Sequence, residues 1–244
     1  MTMTDALTIE RVEAASLAVT PHVRRTPFLH SAWLSRVAGA EVFLKCENLQ
    51  HTGSFKLRGA LAAIALLDSG ELERGVLTSS AGNHGLGLAR AARLTGAACT
   101  VVVPAGAAAV KCAAIEREGA RVINCPAEGY DATQAWTLER RDELGGVFVS
   151  PFDDLDVIAG NGGSLALEML AQEARLDLVA VPCGGGGCAT GVGFVYRQRS
   201  PRTRVVGVNC AASPGMWQSR RDGRALLQLE GEPTIEKWTK RKAG

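Results

Sequence analysis

Short apolar runs alternate with longer stretches of mixed polarity along most of the 244-residue chain. The runs Thr100–Val103 (TVVV) and Leu178–Val181 (LVAV) are almost wholly apolar, as strands buried on both faces are. Strands are predicted at Glu41–Lys45, Gly75–Ser79, Cys99–Val103, Arg121–Cys125, Val147–Ser150, Leu178–Val181 and Val205–Val208. Helices are predicted at Thr8–Val19, Ser31–Val37, Phe55–Leu67, Gly85–Leu94, Ala108–Glu118, Asp131–Leu144, Leu155–Ala171, Ala189–Arg199 and Pro214–Arg220. This alternation predicts crossover connections, a mainly parallel sheet and the α/β class.

Ligands of open α/β sheets bind at the carboxyl ends of the strands. Three strand-to-helix turns of unusual composition fall at such ends, at Thr52–Lys56, Ser79–Gly85 and Pro182–Gly187. These turns are therefore the first candidates for functional residues.

The first turn carries a lysine where a helix dipole disfavours one. Ser54 is a good N-cap, which would place Lys56 in the first helical turn, close to the positive end of the dipole. Lys56 is therefore either directed into solvent or required as a neutral amine. A neutral lysine amine is a nucleophile that can form a Schiff base.

The second and third turns have the composition of anion-binding loops. In Ser79–Gly85 (SSAGNHG), backbone N–H groups at the start of a helix could bind a carboxylate or a phosphate, although on local grounds the pattern slightly favours an ordinary capped turn. Four consecutive glycines, Gly184–Gly187, favour a phosphate site over a flexible loop, because such a run is entropically costly. No Gly-Lys-Ser/Thr follows, so this loop is not a P-loop.

Composition and charge narrow the functional classes to which the chain could belong. The formal net charge of +2 comes without a basic stripe, which argues against nucleic-acid binding. No apolar run is long enough to span a membrane, and residues 1–15 lack a signal-peptide pattern, so a cytoplasmic location is expected. The seven cysteines are scattered, which predicts reduced, mostly buried thiols and no metal site.

A set of ordered motifs covers nearly the whole chain. They are RTP at Arg25–Pro27, KCENLQHTGSFKLRGA at Lys45–Ala60, SAGNHG at Ser80–Gly85, VVVP at Val101–Pro104, PFDDLDVIAG at Pro151–Gly160, GGGG at Gly184–Gly187 and EPTI at Glu232–Ile235. In this combination the chain resembles the serine/threonine dehydratases of pyridoxal-phosphate fold type II, the tryptophan-synthase-β-like family. The resemblance implies two α/β domains, each a mainly parallel open sheet flanked by helices.

The resemblance also implies a cofactor, a reaction and roles for the turn residues. Lys56 would hold pyridoxal 5'-phosphate as a Schiff base and later remove the α-proton of the substrate. The implied cofactor-binding residues are Phe55, Lys56, Asn83, Gly184, Gly185, Gly186 and Gly187. The implied substrate-carboxylate residues are Ser80, Gly82, Asn83 and His84. The expected reaction is the dehydration and deamination of L-threonine or L-serine to a 2-oxo acid and ammonia.

Domain limits, assembly and alternatives follow from the same resemblance. Residues 1–48 and 148–244 would form a larger cofactor domain, and residues 49–147 a smaller, mobile one. A homodimer or homotetramer acting on a small amino acid is expected. The alternatives are a dehydratase for another 3-hydroxy amino acid, or a truncated cofactor-binding protein with little activity.

The chain departs from the family pattern at several positions. Relatives that racemise serine carry a serine where this chain has Ala81, which favours elimination over racemisation. Metal-binding relatives carry a glutamate where this chain has Asn209, a poorer ligand for a hard cation. The usual Gln-Gly-Thr is replaced by Asn161-Gly162-Gly163. The chain ends soon after Ile235, so we expect an incomplete cofactor domain without the residue that contacts the pyridine nitrogen.

Overall fold

The first element of the described residues is helix α1 (Ile9–Val19), whose first turn is capped by Thr8 Oγ1, which accepts a hydrogen bond from Arg11 N–H at 3.2 Å. A computed structural model describes residues 7–211 and 214–223. The motif Glu232–Ile235 and the chain end lie outside these residues. A short antiparallel pair follows, β1 (Phe28–His30) with β2 (Phe43–Lys45), and α2 (Ala32–Ala38) connects the two strands.

A four-stranded parallel sheet forms the middle of the chain. Its strands are β3 (Val76–Ser79), β4 (Cys99–Val103), β5 (Arg121–Asn124) and β6 (Val147–Phe148), in the order β5-β4-β3-β6. The helices before and between them are α3 (Lys56–Ala65), α4 (Ser69–Arg74), α5 (Asn83–Thr95), α6 (Ala109–Arg117), α7 (Tyr130–Glu139) and α8 (Arg141–Leu144). All neighbours in the sheet run parallel, as the alternation of elements predicted.

The last part of the chain builds a second parallel unit. It contains α9 (Leu155–Ile158), α10 (Leu165–Gln172), β7 (Leu178–Pro182), α11 (Gly187–Arg199), β8 (Arg204–Val208) and α12 (Gly215–Asp222). Strands β7 and β8 pair in parallel. A π-helical segment, Ala159–Ser164, joins α9 to α10. No helix within the described ranges has both the length and the apolar composition needed to cross a membrane.

Helix α3 is buried between these two units. Its residues from Leu57 to Ile64 are all buried, and on one side Gly87 of α5 packs directly on the backbone of Lys56 and Leu57. On another side the π-helical segment approaches closely: a Cβ at Gly160 would lie 2.5 Å from Arg58 O. Asn161 Oδ1 accepts a hydrogen bond from Gly59 N–H at 2.9 Å. The Asn-Gly-Gly departure therefore provides a buried contact to the lysine-bearing helix.

Most predicted elements are present, and the differences have local causes. Strand β1 and helix α4 were not predicted, because β1 has three half-exposed or exposed residues and α4 directly follows a turn. The single helix predicted over Leu155–Ala171 is interrupted by the π-helical segment. The helix predicted over Asp131–Leu144 is divided at Arg140. The cysteines are all free in the described ranges, but only Cys99 and Cys125 are buried, so the prediction of mostly buried thiols was wrong.

Candidate active site

Lys56 is the first residue of α3, and its amine is enclosed by aromatic rings. Nζ donates to Pro151 O at 3.1 Å and lies 5.4 Å from the ring centroid of Phe55 and 5.1 Å from that of Phe152. The predicted cap is displaced by one residue: Phe55 occupies the N-cap position, while Ser54 Oγ accepts from Lys56 N–H at 3.4 Å. Burial lowers the pKa of Lys56, and the nearby Cys188 acts in the opposite direction. The surroundings therefore favour the neutral amine.

The second turn joins β3 to α5 and leaves its first helical N–H groups without a side-chain cap. Gly82 is the N-cap residue, and its N–H donates to Ser80 Oγ at 3.2 Å. A Cβ at Gly85 would lie 2.1 Å from Ser80 O, so only glycine fits this close approach. Asn83, the first residue of α5, is exposed. Such a turn presents N–H donors to an anion at the strand end.

His84 is buried at the start of α5, and its ring is already engaged. Nε2 donates to Val149 O at 3.1 Å, and Thr78 Oγ1 donates to the same carbonyl at 2.9 Å. The carbonyl is an acceptor, so Nε2 carries the proton, and among the described residues Nδ1 has no hydrogen-bond partner. Burial, assisted by the charge of Lys56, lowers the pKa of His84 to about 3 against the effect of the Val149 hydrogen bond. The neutral ring leaves the backbone N–H as the means by which His84 could bind a carboxylate.

The glycine loop between β7 and α11 is shaped for close backbone approach. Gly186 has a φ of 88°, in the left-handed region that favours glycine. A Cβ at Gly185 would lie 2.3 Å from Phe152 Cδ1, and one at Gly187 would lie 2.9 Å from Phe152 O. Gly184 is exposed, and a Cβ there would meet nothing within 4 Å. No side chain caps α11, so its first N–H groups can bind an anion.

Phe152 joins the lysine turn to the glycine loop, and sequence reasoning missed it. Its ring meets that of Tyr130 edge-on at 5.3 Å between centroids, in addition to its contacts with Lys56 and Gly185. The only sequence signal for Phe152 was its place in the family motif PFDD. In the structure it directly follows Pro151, whose carbonyl accepts the hydrogen bond from Lys56. Lys56, His84, Gly185 and Gly187 thus gather around the segment Val149–Phe152, and Phe55 lies beside the Lys56 amine.

Asn209, at the position where relatives bind a metal, is engaged in hydrogen bonds, and the loop cysteine Cys188 carries a protonated thiol. Asn209 Nδ2 donates to Cys183 O, and Asn209 Oδ1 accepts from Trp217 N–H at 3.2 Å, which connects the end of β8 to the glycine loop and to α12. Burial raises the pKa of the Cys188 thiol to about 12, so this group is protonated. In the part of the chain that the structure describes, no three His, Cys, Asp or Glu side chains form a metal-binding group.

The fold and these turns are those of a family of pyridoxal-phosphate enzymes. The family profile described as "Pyridoxal-phosphate dependent enzyme" matches residues 19–237, and the chain belongs to this family. The α/β class and the family predicted from the motifs are thereby confirmed.

Individual relatives refine this class. The chain is 41% identical over 232 residues to the L-threonine ammonia-lyase of Thermotoga maritima, a match covering 94% of this chain and 56% of that enzyme. It is 38% identical over 217 residues to the β-hydroxyaspartate dehydratase of Paracoccus denitrificans, covering 88% of this chain and 68% of that enzyme. The crystal structure of serine racemase from Dictyostelium discoideum matches with a TM-score of 0.84 at 36% identity, covering 89% of this chain and 70% of the other. The chain thus spans little more than half the length of the first relative.

The residues present fit pyridoxal phosphate. The cofactor needs a neutral amine for its aldehyde and N–H donors for its phosphate. Lys56 has the lowered pKa, and the uncapped start of α11 behind Gly184–Gly187 has the donors. Lys56 and Gly185 both contact Phe152, so the two features lie on the same side of the molecule.

Proposed function

We propose that this chain eliminates water from a small hydroxy amino acid, L-threonine or L-serine, to give a 2-oxo acid and ammonia. The observation that carries the proposal is a buried lysine amine of lowered pKa, placed near two uncapped helix starts. The names of the Thermotoga and Paracoccus relatives, both of them lyases or dehydratases, support the reaction class.

In this proposal Lys56 and Gly184–Gly187 hold the cofactor, with Phe55 beside its ring and Asn83 hydrogen-bonded to it. When bound, pyridoxal phosphate supplies an electron sink for the pair left behind when the α-proton is removed. The Lys56 amine is the base for that proton, since burial keeps it neutral at a higher fraction than an exposed lysine.

The turn Ser80–His84 would hold the substrate carboxylate. Ser80, Gly82, Asn83 and His84 supply the donors, and for His84 this is the backbone N–H, because its ring is buried and neutral. The connection from His84 through Val149 O to the segment that also accepts from Lys56 would hold the carboxylate and the base in a constant relation.

Ala81 supports elimination rather than racemisation. By the resemblance, residue 81 would serve the face opposite Lys56, where a methyl group can neither donate nor accept a proton, whereas relatives that racemise serine have a hydroxyl at this position. D-Serine is therefore expected to form far more slowly than pyruvate from L-serine.

A 3-hydroxy amino acid with a second carboxylate is the other substrate to consider, because of the relative that dehydrates β-hydroxyaspartate. A cytoplasmic homo-oligomer, with the division into residues 1–48 and 148–244 against 49–147, belongs to the same proposal.

Cofactor binding and turnover can be tested together. The purified chain is mixed with pyridoxal phosphate, and the visible absorbance of the lysine-bound cofactor is recorded. The 2-oxo acid formed from L-threonine, L-serine and 3-hydroxyaspartate is then measured, and D-serine is measured in the L-serine reaction. Lys56→Ala should abolish both the absorbance band and turnover.

Lys111 provides the matched control, since it is exposed and also lies in the first turn of a helix. Lys111→Ala should leave both signals unchanged. Cofactor binding without 2-oxo acid from any substrate would favour the alternative of a cofactor-binding protein. Normal turnover by Lys56→Ala would refute the assignment of the base.

A further inference from the structure

A group of charged side chains, each at most 14% exposed, lies behind the lysine-bearing turn. Its central residue is Arg58, which is 1% exposed. Arg58 Nε donates to Glu47 Oε2 at 2.9 Å, and Nη2 donates to Glu47 Oε1 at 2.9 Å and to Glu168 Oε2 at 3.0 Å. The guanidinium therefore binds one carboxylate through two parallel hydrogen bonds and a second carboxylate through one.

A second cation completes the group. Lys45 Nζ donates to Glu168 Oε1, to Gln172 Oε1 at 2.7 Å and to Thr26 O at 2.8 Å. Thr26 Oγ1 donates to Glu47 Oε1 at 2.6 Å. We call this set the Arg58 network; its members are Thr26, Lys45, Glu47, Arg58, Glu168 and Gln172.

The Arg58 network is electrically neutral, because the two cations Lys45 and Arg58 face the two carboxylates Glu47 and Glu168. Buried ion pairs are often no more stabilising than apolar side chains of the same size, so stability alone is a weak explanation for four charges here. Their directional hydrogen bonds instead fix one arrangement of the segments that they join. Those segments are the chain before β1, the end of β2, the 3-10 helix Glu47–Leu49, helix α3 and helix α10.

The arrangement of α3 determines where Lys56 points. Lys56 and Arg58 are two residues apart, which places them about 200° apart around the helix. When the Arg58 guanidinium is fixed on one side of α3, the rotation of the helix about its axis is set. The Lys56 side chain then projects from the opposite side of the helix. That side faces Pro151 O and Phe152, where the site lies.

Neutrality matters because the site needs an uncharged amine. An uncompensated carboxylate behind α3 would favour protonated Lys56, whereas the complete network adds no net charge to its surroundings.

We propose that the Arg58 network positions Lys56 for cofactor capture and proton removal. This inference rests on the proposed function, and it extends it to residues that touch neither cofactor nor substrate. Arg58 and its partners are positioning residues.

The decisive variant combines Glu47→Gln with Arg58→Met. It removes one carboxylate and one guanidinium, so the net charge of the group stays zero and Lys45 keeps Glu168. The control combines Glu139→Gln with Arg140→Met, which makes the same change of charge at a surface pair at the end of α7, with an Arg140 Nη1–Glu139 Oε2 distance of 3.2 Å. Arg58→Lys keeps the charge but loses the two parallel hydrogen bonds.

Two measurements are made besides urea unfolding. In the first, increasing pyridoxal phosphate is added, the mixture is reduced with borohydride, and the pyridoxyl label on the Lys56 peptide is quantified by mass spectrometry. In the second, kcat and KM for L-threonine are determined.

For the Glu47→Gln/Arg58→Met variant we expect the cofactor concentration for half-labelling to rise about tenfold. Its kcat should fall on the order of 10- to 100-fold while KM changes little, because misplacement of a reacting group by a small distance has effects of this size. Arg58→Lys should lie between this variant and the unchanged chain, and the control should match the unchanged chain.

Each outcome decides between the proposals. If the unchanged chain is not labelled at Lys56, the proposed function fails and this inference fails with it. If the unchanged chain is labelled but the Glu47→Gln/Arg58→Met variant and Arg58→Lys behave as the control does, the network is only structural. If the double variant does not fold, Arg58→Lys alone decides by the same two measurements. Labelling without turnover would refute the reaction, and the labelling curves would then decide the positioning role.

Discussion

Lowering the pH from 7 to 5 tests whether the fold holds His84 as a neutral ring. The pKa of this side chain is lowered from its ordinary 6.5 to about 3, and burial is the largest cause. A group whose pKa is depressed by folding contributes stability that is fully present above the unfolded value and is lost as the pH falls toward the folded value. For His84 this loss begins near pH 6.5 and continues toward pH 3.

The size of the effect follows from the two pKa values. At pH 5 the unfolded ring is protonated and the folded ring is not. This pH lies about 1.5 units below the unfolded pKa, so the free energy of unfolding is lower by about 2 kcal/mol. At pH 7 the unfolded ring is mostly neutral as well, so the loss of stability caused by its protonation is close to zero. For a chain of this length the loss corresponds to a fall in Tm of about 4 to 8 °C.

The assay compares urea unfolding of the cofactor-free protein with that of His84→Gln at pH 7, 6 and 5. The glutamine amide can still donate to Val149 O, but it does not titrate, so the other ionisable groups cancel in the comparison. We expect the free-energy difference between the two proteins to shift by about 2 kcal/mol over this range. His22→Gln, at an exposed position, should follow the unchanged chain. Parallel curves for His84→Gln and the unchanged chain would refute the buried neutral ring.

Two further substitutions test contacts that hold the site in place. Asn161→Ala removes the acceptor of the buried Gly59 N–H and should lower the free energy of unfolding by about 1–3 kcal/mol, as measured by urea unfolding. The control Asn124→Ala, at an exposed position, should have little effect. Equal effects of the two substitutions would contradict this role for Asn161. Gly185→Ala places a Cβ 2.3 Å from Phe152 Cδ1 and should raise the cofactor concentration for half-labelling of Lys56, whereas Gly193→Ala in α11 should not, since its Cβ meets nothing within 4 Å. Unchanged cofactor affinity in Gly185→Ala would show that the loop does not need this close approach.

Elements with strong local signals were predictable from sequence. Strand β4 has the predicted bounds, because Cys99–Val103 is an apolar run, interrupted only by Thr100, and is closed by Pro104. The strand-end turn at Gly82 is recognisable because its glycines and capping residues act over a few positions. The prediction that the turn before Lys56 also directly follows a strand was wrong, since β2 ends at Lys45 and a 3-10 helix, Glu47–Leu49, comes between them. The π-helical segment was not predicted, since nothing in the period of apolar residues distinguishes it from an α-helix.

Contacts between distant residues could not be predicted in the same way. Glu47, Arg58 and Glu168 look like ordinary surface charges in the sequence, and only the fold shows that they are buried together. The sequence assigned His84 to substrate binding but could not show that its ring is committed to Val149 O. Both cases depend on long-range packing, which amphipathic patterns do not encode.

The acceptors of Lys56 and His84 are backbone carbonyls, of Pro151 and Val149, two residues apart on one strand-end segment. A carbonyl is present whatever the side chain, so an alanine scan of this segment would leave both acceptors in place and would assign them no importance. Chemical synthesis that replaces one of these amides by an ester weakens the carbonyl as an acceptor without altering any side chain. This part of the site is therefore accessible to backbone chemistry and hidden from conventional mutagenesis.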